Sequence, residues 1–257
     1  MKLKAVLFDL DDTLFDHTHA SSVALHALHE RHAASDVAFD AFAAKHAELL
    51  EVYHARFLGG EYTLDEARAQ RMMALFASFG ELLDDEVALQ IGGEYRELHQ
   101  ANRQLVPGAR ELLDALSADY ALGIVTNNSS AEQHAKLAHL DIAQHFKAVV
   151  ISEEIGVTKP DAAIYFAALD RLGCEPHEAV MIGDNVHADV LGAQDAGIAA
   201  VWFNRFDRVD QQVHTQNLEQ IRALSPVLDV RQALERAHQN RIRLFEGVKH
   251  VLSALAS

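Results

Sequence analysis

The chain has only one cysteine, Cys174, among 257 residues. A lone cysteine excludes an internal disulfide and any metal site built from several thiolates, so redox chemistry is not expected. Long hydrophobic runs are missing as well, because no apolar stretch approaches the length of a membrane span. The opening segment 1–8 also has too few apolar residues for a signal sequence. We therefore expect a soluble, cytoplasmic protein that does not bind a membrane.

Positive charge is scarce: 22 lysines and arginines stand against 38 aspartates and glutamates, and the formal net charge is −16 at pH 7. This charge repels a phosphodiester backbone, so binding of a nucleic acid polymer is disfavoured, although a local cationic pocket for one small phosphate is compatible with it. The 16 histidines are scattered without a recognised metal-binding spacing, and most are expected at the surface. A hydrophobic content of 49% is enough for one large domain or for a core with an inserted domain.

Near its start the chain has an apolar run that ends abruptly in acids. Residues 5–8 are apolar, and Asp9, Asp11 and Asp12 follow at once. Asp9 and Asp11 are two positions apart, so on an extended backbone both carboxylates project from the same side and can face one small ligand. One could then attack while its neighbour handles protons. The alternative is that Asp12 or Thr13 merely caps a turn and the other acids are solvated.

Short apolar runs alternate with amphipathic segments of helical length, which predicts an α/β core with a Rossmann-like parallel sheet and helices on both faces. In such sheets ligands bind at the carboxyl ends of the strands. The runs occupy residues 5–8, 122–125, 148–151, 179–182 and 199–203.

Residues 17–102 lack strand signals and show helical periodicity instead, which predicts an inserted α-helical bundle. One helix carries a stripe from Phe39 to Phe57, a second begins at the capping-box pair Thr63 and Glu66, and a third begins near Asp84. The stripe of the third helix holds Val87, Ile91, Tyr95 and Leu98, and a further helix is expected around 22–32. The core domain would then comprise 1–16 and 103–257, and the cap domain 17–102.

Polar groups also follow the second predicted strand. Thr126 and Asn127 begin a run of hydroxyl and amide residues just before a helix, whose free N–H groups favour an anion. Helix capping alone would explain some of these residues, because serine and asparagine are preferred caps. Lys159 follows the third strand, and Pro160 restrains where this lysine points if it takes the first position of the next helix. A solvated loop lysine is the alternative.

Two more acids, Asp184 and Asp189, follow the fourth predicted strand. Carboxylates without a cysteine or histidine cluster suit Mg²⁺, which prefers hard oxygen ligands. The sequence therefore places acids at the ends of two strands, where a cation and an anionic ligand could meet.

Taken jointly and in this order, the four stretches resemble the motifs of the haloacid dehalogenase superfamily over roughly residues 4–204. None of the four departs from the family pattern. In that family a helical cap inserted between the first two motifs marks the branch with small-molecule substrates. The matching positions are Asp9, Asp11 and Thr13 in the first motif, Thr126 and Asn127 in the second, Lys159 in the third, and Asp184 and Asp189 in the fourth.

The resemblance implies a Mg²⁺-dependent phosphatase that hydrolyses a small phosphomonoester through an aspartyl-phosphate. Asp9 would attack phosphorus, and Asp11 would protonate the leaving oxygen and later accept a proton from water. A carboxylate about 4 Å from a phosphate dianion meets repulsion of several kcal/mol at a surface-like dielectric, so cations must intervene. The residues implied for the phosphoryl group are Thr126, Asn127 and Lys159, and those for Mg²⁺ are Asp9, Asp184, the main-chain carbonyl of Asp11, and Asp189 in support.

A nucleoside 5′-monophosphate or a sugar phosphate is the expected substrate. Three alternatives remain: a phosphomutase on the same core, a 2-haloacid dehalogenase, and a regulator that binds phosphorylated ligands without catalysis. Displacing halide needs neither a leaving-group proton nor Mg²⁺, so Asp11 and the paired acids of the fourth motif favour phosphate. Intact Asp9 and Asp11 argue against a silent regulator.

Arg71 is expected to bind substrate from the cap. It lies seven residues after Leu64 and four before Leu75, so it shares an apolar stripe and points inward. The resemblance supports this expectation, since related caps often place a basic residue over the leaving group. The alternative is that Arg71 extends its stem over the stripe or pairs with a cap acid.

The end of the chain predicts one more helix, over about 241–257, with an apolar face. That face would cover the core of its own chain or form a dimer contact, so a monomer or a homodimer is expected. The residues at helical spacing are Ile242, Phe245, Val248, Leu252 and Leu255.

Overall fold

The structure is a computed structural model, and it describes residues 2–210, 213 and 218–255. It divides into two compact units, of which the first comprises Met1–Phe15 and Leu105–Ser257 and the second comprises Asp16–Gln104. The bounds expected from the sequence differ from these by one or two residues. That the second unit acts as a cap stays a prediction.

The first unit is built on a sheet of six parallel strands in the order β3-β2-β1-β4-β5-β6. The parallel α/β sheet predicted from the sequence is confirmed, with five strands within two residues of the predicted runs. The sixth was missed because it has only two residues, too few for a pattern. The strands are β1 (Ala5–Phe8), β2 (Ala121–Thr126), β3 (Phe146–Ile151), β4 (Ala179–Gly183), β5 (Ala199–Phe203) and β6 (Gln220–Ile221).

Helices occupy most of the rest of the described chain. They are α1 (His17–His32), α2 (Phe39–Leu58), α3 (Leu64–Ala77), α4 (Asp85–Ala101), α5 (Ala109–Ser117), α6 (Ser130–His139), α7 (Ser152–Ile155), α8 (Ala162–Leu172), α9 (Gly192–Asp195) and α10 (Val227–Leu255). A π-helical turn, Val186–Leu191, precedes α9. Among the described residues, no helix combines the length and the apolar content needed to cross a bilayer.

The core of the first unit lies against the sheet. All of β1 and β5 is buried, as expected for strands that helices cover on both faces. One cluster joins Leu7 of β1 and Met181 of β4 to Ile164 and Tyr165 of α8. Because the central strands are held on both sides, the loops at their carboxyl ends start from fixed positions.

The second unit is a bundle of α1 to α4, as the periodicity of 17–102 predicts. Its core joins all four helices through a cluster that includes Leu28, Phe42, Phe76 and Ile91. Helix α1 begins at His17, earlier than expected, because the Asp16 carboxylate accepts a hydrogen bond from the His19 N–H and caps it.

Details of α3 and α4 test the helix predictions. The capping box of Thr63 and Glu66 is present and begins α3 as predicted. On α4 a Cβ added at Gly92 would lie 3.5 Å from the backbone nitrogen of Ala69, so this glycine permits close packing of α3 on α4. The expected apolar stripe of α4 is wrong at Val87, which is 39% exposed because it lies in the first turn of the helix.

Two helices of the first unit begin at residues other than those predicted. Pro160 does not occupy the first position of α8, because the Asp161 side chain caps this helix and Ala162 begins it. A terminal helix is confirmed, but it begins at Val227, well before 241. The side chains of Phe245, Val248, Leu252 and Leu255 lie outside the part of the chain that the structure describes, so what their face contacts stays a prediction.

Candidate active site at the carboxyl edge of the sheet

The site lies where the strand order of the sheet reverses. From β1 the chain continues to β2 and β3 on one side and to β4, β5 and β6 on the other. Asp9 directly follows β1, and its N–H donates to the carbonyl of Ile182 at 2.9 Å, which keeps it beside β4. Asp184 directly follows β4. Parallel strands end at one edge, so the two acids meet at the point where open α/β sheets bind ligands.

Three carboxylates come together there. Asp9, Asp184 and Asp189 each offer an oxygen within 4.8 Å of the others. The π-helical turn after β4 brings Asp189 back to the sheet edge, and the Asn185 N–H donates to the Asp189 Oδ2 at 2.9 Å. A Cβ added at Gly183 would lie 2.3 Å from the Asp189 carboxyl carbon, so only glycine leaves room for this acid.

Lys159 is the cation of this cluster. Its Nζ donates to the Oδ1 of Asp9 at 2.7 Å and to the Oδ1 of Asp189 at 2.6 Å, and Lys159 is only 6% exposed. Burial by itself lowers the pKa of this lysine, but the carboxylates of Asp189 and Asp9 outweigh that effect and raise the pKa above its ordinary value. Lys159 is therefore a fixed ammonium, and the alternative of a solvated loop lysine is wrong.

Asn127 holds Lys159 in place. The Asn127 Oδ1 accepts from the Lys159 N–H at 2.8 Å, and the Asn127 Nδ2 donates to the Lys159 carbonyl at 3.0 Å. This amide follows β2 directly. It thereby links the second motif to the third through the main chain of the lysine.

The cluster has more carboxylates than buried cations. Burial raises the pKa of Asp9 to about 7, with a further contribution from Asp189 and Asp11, while Lys159 opposes the rise. Burial also raises the pKa of Asp184 well above its usual range, together with Asp9 and Asp189. Three acids and one buried lysine leave an excess of negative charge that a divalent cation would neutralise, and an all-carboxylate set suits Mg²⁺. The residues present therefore fit the expected metal.

The Asp11 carboxylate faces another set of partners. Its Oδ1 accepts from the Nζ of Lys136 at 2.6 Å, and its Oδ2 accepts from the Nε2 of Gln133 at 3.1 Å. Both donors lie on α6 and are buried. The carboxylate is not one of the three acids of the cation cluster. The role expected for the Asp11 main-chain carbonyl at the metal stays a prediction.

Two threonines of the motifs are buried. Thr126, 1% exposed, ends β2, and its Oγ1 accepts from the Nε2 of Gln133 at 2.6 Å. Thr13 is 0% exposed, and its hydroxyl oxygen has no hydrogen-bond partner among the described residues. A buried hydroxyl without a partner is uncommon, so the Thr13 hydroxyl is available for a hydrogen bond to a ligand.

Sequence reasoning missed several residues of this edge. Gln133 and Lys136 share a buried face of α6, and two polar residues three positions apart on the inner face were a signal that was available. Arg205 follows β5, and its Nη2 donates to the Oδ1 of Asp12 at 2.8 Å. Arg208 donates to the Oδ2 of Asp184 at 3.0 Å. No motif marks the two arginines.

Arg71 lies in the second unit, buried within the helix bundle. It is 5% exposed, and its Cζ lies 5.1 Å from the centre of the Tyr95 ring. Among the described residues, its Nε has no hydrogen-bond partner and no carboxylate pairs with it. The acid partner considered from the sequence is therefore not found in the described part of the chain. Burial lowers the pKa of Arg71, which Tyr95 partly opposes.

His46 accompanies Arg71. It is 1% exposed, and its Nε2 has no partner among the described residues. Burial lowers the pKa of His46 well below its usual range, with Arg71 and then His17 adding to the effect. The bundle therefore holds two buried nitrogen atoms, the Nε of Arg71 and the Nε2 of His46, without a hydrogen-bond partner among the described residues.

Asp9, Lys159 and the acid pair Asp184 and Asp189 lie together where the strand order of the parallel sheet reverses. This arrangement defines an α/β enzyme core. The chain belongs to the haloacid dehalogenase-like hydrolase family, whose model matches residues 3–197. This confirms the family resemblance drawn from the four motifs.

Individual proteins agree with the family. The chain is 34% identical to the glyceraldehyde 3-phosphate phosphatase of Methanothermobacter thermautotrophicus over 79% of its length and 86% of the relative. It is 32% identical to the pyrimidine 5′-nucleotidase PynA of Streptococcus pneumoniae over 79% and 85%. The solved structure of the Bacillus subtilis HAD-hydrolase YfnB bound to magnesium matches 90% of this chain and 99% of that one, with 27% identity and a TM-score of 0.73. A solved 2-haloacid dehalogenase of Pseudomonas syringae, 26% identical with a TM-score of 0.58, matches 91% and 99%.

Proposed function

We propose that this protein is a Mg²⁺-dependent phosphatase that hydrolyses a small phosphomonoester metabolite through an aspartyl-phosphate. The observation that carries the proposal is the buried cluster in which Lys159 bonds both Asp9 and Asp189 while Asp184 lies within 4.8 Å. A relative named as a phosphatase, a relative named as a 5′-nucleotidase and a neighbour bound to magnesium support it.

In the first step Asp9 attacks the phosphorus atom. The bond from Lys159 to the Asp9 Oδ1 orients this carboxylate and compensates its charge. Its pKa of about 7 shows how strongly burial opposes ionisation, so cations beside Asp9 are needed to keep it a nucleophile. Mg²⁺ held by Asp9, Asp184 and Asp189, with the Asp11 carbonyl, would supply neutralisation of the phosphoryl oxygens.

Asp11 acts as the acid and then as the base. As the bond from phosphorus to the leaving oxygen breaks, Asp11 gives that oxygen its proton. Asp11 then takes a proton from the water that attacks the phosphorus of the aspartyl-phosphate, and this attack releases inorganic phosphate and restores Asp9. General acid–base catalysis of this kind contributes typically about 10²–10⁴-fold.

The phosphoryl group is bound by residues of the second and third motifs. The Thr126 hydroxyl oxygen accepts a hydrogen bond from Gln133. The hydroxyl hydrogen of Thr126 is therefore left to bond a phosphoryl oxygen. Lys159 contributes positive charge. Both ends of the Asn127 amide are taken up by the Lys159 main chain, so we propose that Asn127 serves the phosphoryl group chiefly by placing this lysine.

The substrate class follows from the relatives and from Arg71. The names of the two relatives give glyceraldehyde 3-phosphate, a sugar phosphate, and pyrimidine 5′-nucleotides as substrates, and both kinds carry polar leaving groups. Arg71 is a buried cation without an acid partner among the described residues, an arrangement that is costly unless a ligand supplies an anion or a strong acceptor. We propose that Arg71 binds the leaving group of the substrate.

The proposal is tested with a panel of sugar phosphates and nucleoside 5′-monophosphates, assayed with Mg²⁺ and with EDTA. We expect phosphate release only with the metal. Asp9→Asn and Asp11→Asn should each lower turnover by at least about 100-fold without loss of fold. Undiminished hydrolysis by either variant would contradict the mechanism.

The same panel separates the alternatives. A phosphomutase would return an isomeric phosphate ester instead of inorganic phosphate. A 2-haloacid dehalogenase would release halide from 2-chloropropionate in EDTA. A regulator would bind the esters unchanged. Any of these results in place of phosphate release would replace the proposed activity.

The role of Arg71 needs its own comparison. Arg71→Ala should lower kcat/KM for the best metabolite and change hydrolysis of 4-nitrophenyl phosphate much less, since that ester lacks the natural leaving group. Arg56→Ala, which alters an exposed arginine of α2, is the matched control. Equal losses on both esters would indicate a role in folding, and no loss on either would remove Arg71 from the site.

A further inference from the structure

Helix α6 presents two buried polar side chains to the active site. Gln133 is 0% exposed and Lys136 is 3% exposed, although both are residue types that usually lie at the surface. They are three positions apart, so they share one face of the helix. Both bond the Asp11 carboxylate, one on each oxygen.

The Gln133 amide reaches two residues with different proposed tasks. Its Nε2 donates to the Oδ2 of Asp11 at 3.1 Å and to the Oγ1 of Thr126 at 2.6 Å. An NH₂ group has two hydrogens in a fixed plane, so both acceptors are placed relative to one rigid group. Thr126 accepts through its oxygen and keeps its own hydrogen for donation.

The amide is not explained by packing alone. The Gln133 Oε1 is buried and has no hydrogen-bond partner among the described residues, and such an acceptor costs free energy. A methionine has a similar length and would fill the same space without that cost. The N–H groups are therefore what distinguishes glutamine at this position.

We propose that Gln133 is a positioning residue that aligns Asp11 with Thr126, so that the proton donor and the phosphoryl ligand face the same substrate group. Lys136 completes the arrangement by holding the second oxygen of Asp11. This inference rests on the proposed phosphatase function, because it assumes the roles given there to Asp11 and Thr126.

The test compares esters with poor and good leaving groups. The value of kcat/KM reports the steps up to the first irreversible one, here formation of the aspartyl-phosphate. An alkyl phosphate needs a proton on its leaving oxygen, whereas 4-nitrophenolate departs without one, so misplacement of Asp11 affects the alkyl ester more. For Gln133→Met we expect kcat/KM to fall at least about 10-fold more for the alkyl ester than for 4-nitrophenyl phosphate.

Two further variants make the comparison specific. Gln133→Glu keeps the shape of the side chain but lacks the NH₂ donor, so we expect the same preferential loss. His134→Ala changes the next, exposed residue of α6 and should leave both esters unaffected. Circular dichroism and a thermal melt establish that each variant is folded, and Gln133→Glu carries the test if Gln133→Met is not.

Different results overturn different statements. Equal losses on the two esters, or no loss, in the folded variants would overturn the positioning role while the phosphatase function stands. Gln133→Met as active as wild type would show that the side chain only fills space. A wild-type protein without phosphatase activity would overturn the proposed function and this inference with it.

Discussion

The two units of the molecule treat buried charge in opposite ways. In the first, Lys159 lies between the carboxylates of Asp9 and Asp189, and Lys136 bonds Asp11. In the second, Arg71 is buried over an aromatic ring without an acid partner among the described residues. Breaking a buried pair and burying a lone charge are both costly, so the paired lysines of the first unit and Arg71 of the second differ in what they contribute to stability.

The difference shows what each unit lacks. In the first unit, the cluster of Asp9, Asp184 and Asp189 has more carboxylates than buried ammonium groups, so it is short of a cation. In the second, the Nε of Arg71 and the Nε2 of His46 are buried without a hydrogen-bond partner among the described residues, and no acid there pairs with Arg71, so this unit is short of an anion. In the proposed function, Mg²⁺ and the substrate supply these two missing charges.

Replacing Lys159, the lysine between Asp9 and Asp189, should have the largest effect. Lys159→Met leaves two buried carboxylates unpaired, so the free energy of unfolding in EDTA should fall by about 3–5 kcal/mol. Phosphatase activity should fall at least about 100-fold, because the proposed mechanism loses the positive charge that compensates the phosphoryl group. Urea titration and steady-state assays measure the two effects. Lys147→Met, at an exposed lysine of β3, is the control, and equal stability of both variants would contradict the pairing.

A glycine from each unit extends the comparison to packing. Gly183→Ala places a Cβ 2.3 Å from the carboxyl carbon of Asp189 and should cost about 1–3 kcal/mol of unfolding free energy while weakening Mg²⁺ binding. Gly93→Ala on α4 meets nothing within 4 Å and should stabilise the protein by up to about 1 kcal/mol. Calorimetric melts and Mg²⁺ titration give the readouts. Unchanged Mg²⁺ affinity in Gly183→Ala would separate Asp189 from the metal.

Replacing Arg71 in the second unit should change the free energy of unfolding in the opposite direction. Arg71→Met replaces an unpaired buried charge with an apolar side chain of similar length, so the ligand-free protein should gain about 1 kcal/mol of stability or more. Thermal melts without substrate measure this gain. Arg56→Met, at an exposed arginine, should change stability by no more than about 0.5 kcal/mol. A loss of stability in Arg71→Met would mean that the guanidinium already has a favourable partner.

The buried imidazole predicts a pH dependence. The folded pKa of His46 lies well below 6.5, so below pH 6.5 the unfolded chain binds a proton that the folded chain does not. Stability is therefore lost as the pH falls below 6.5, by up to about 1.4 kcal/mol per pH unit from this group. His46→Leu should make the decline between pH 7 and pH 5.5 shallower. Parallel slopes for His46→Leu and wild type would contradict the assignment.

Much of the fold could be predicted because its signals are local. The buried strands β1 and β5 are apolar runs that stop at polar residues, and α3 begins at a capping box whose residues are three positions apart. β6 escaped prediction because two residues carry no periodicity. α1 was expected to start too late because the cap at Asp16 gives a weaker signal than an apolar stripe.

The candidate site divides in the same way. The sequence by itself determined the acids at the ends of β1 and β4 and the lysine after β3, because each lies in a short sequence motif that follows a predicted strand. Only the tertiary structure decided that Asn127 holds Lys159, that Gln133 joins Asp11 to Thr126, and that Arg71 is buried without an acid partner among the described residues. The first two contacts join residues as far as 122 positions apart, and burial depends on every helix around a side chain. No local pattern encodes such distances, because packing of the whole unit sets them.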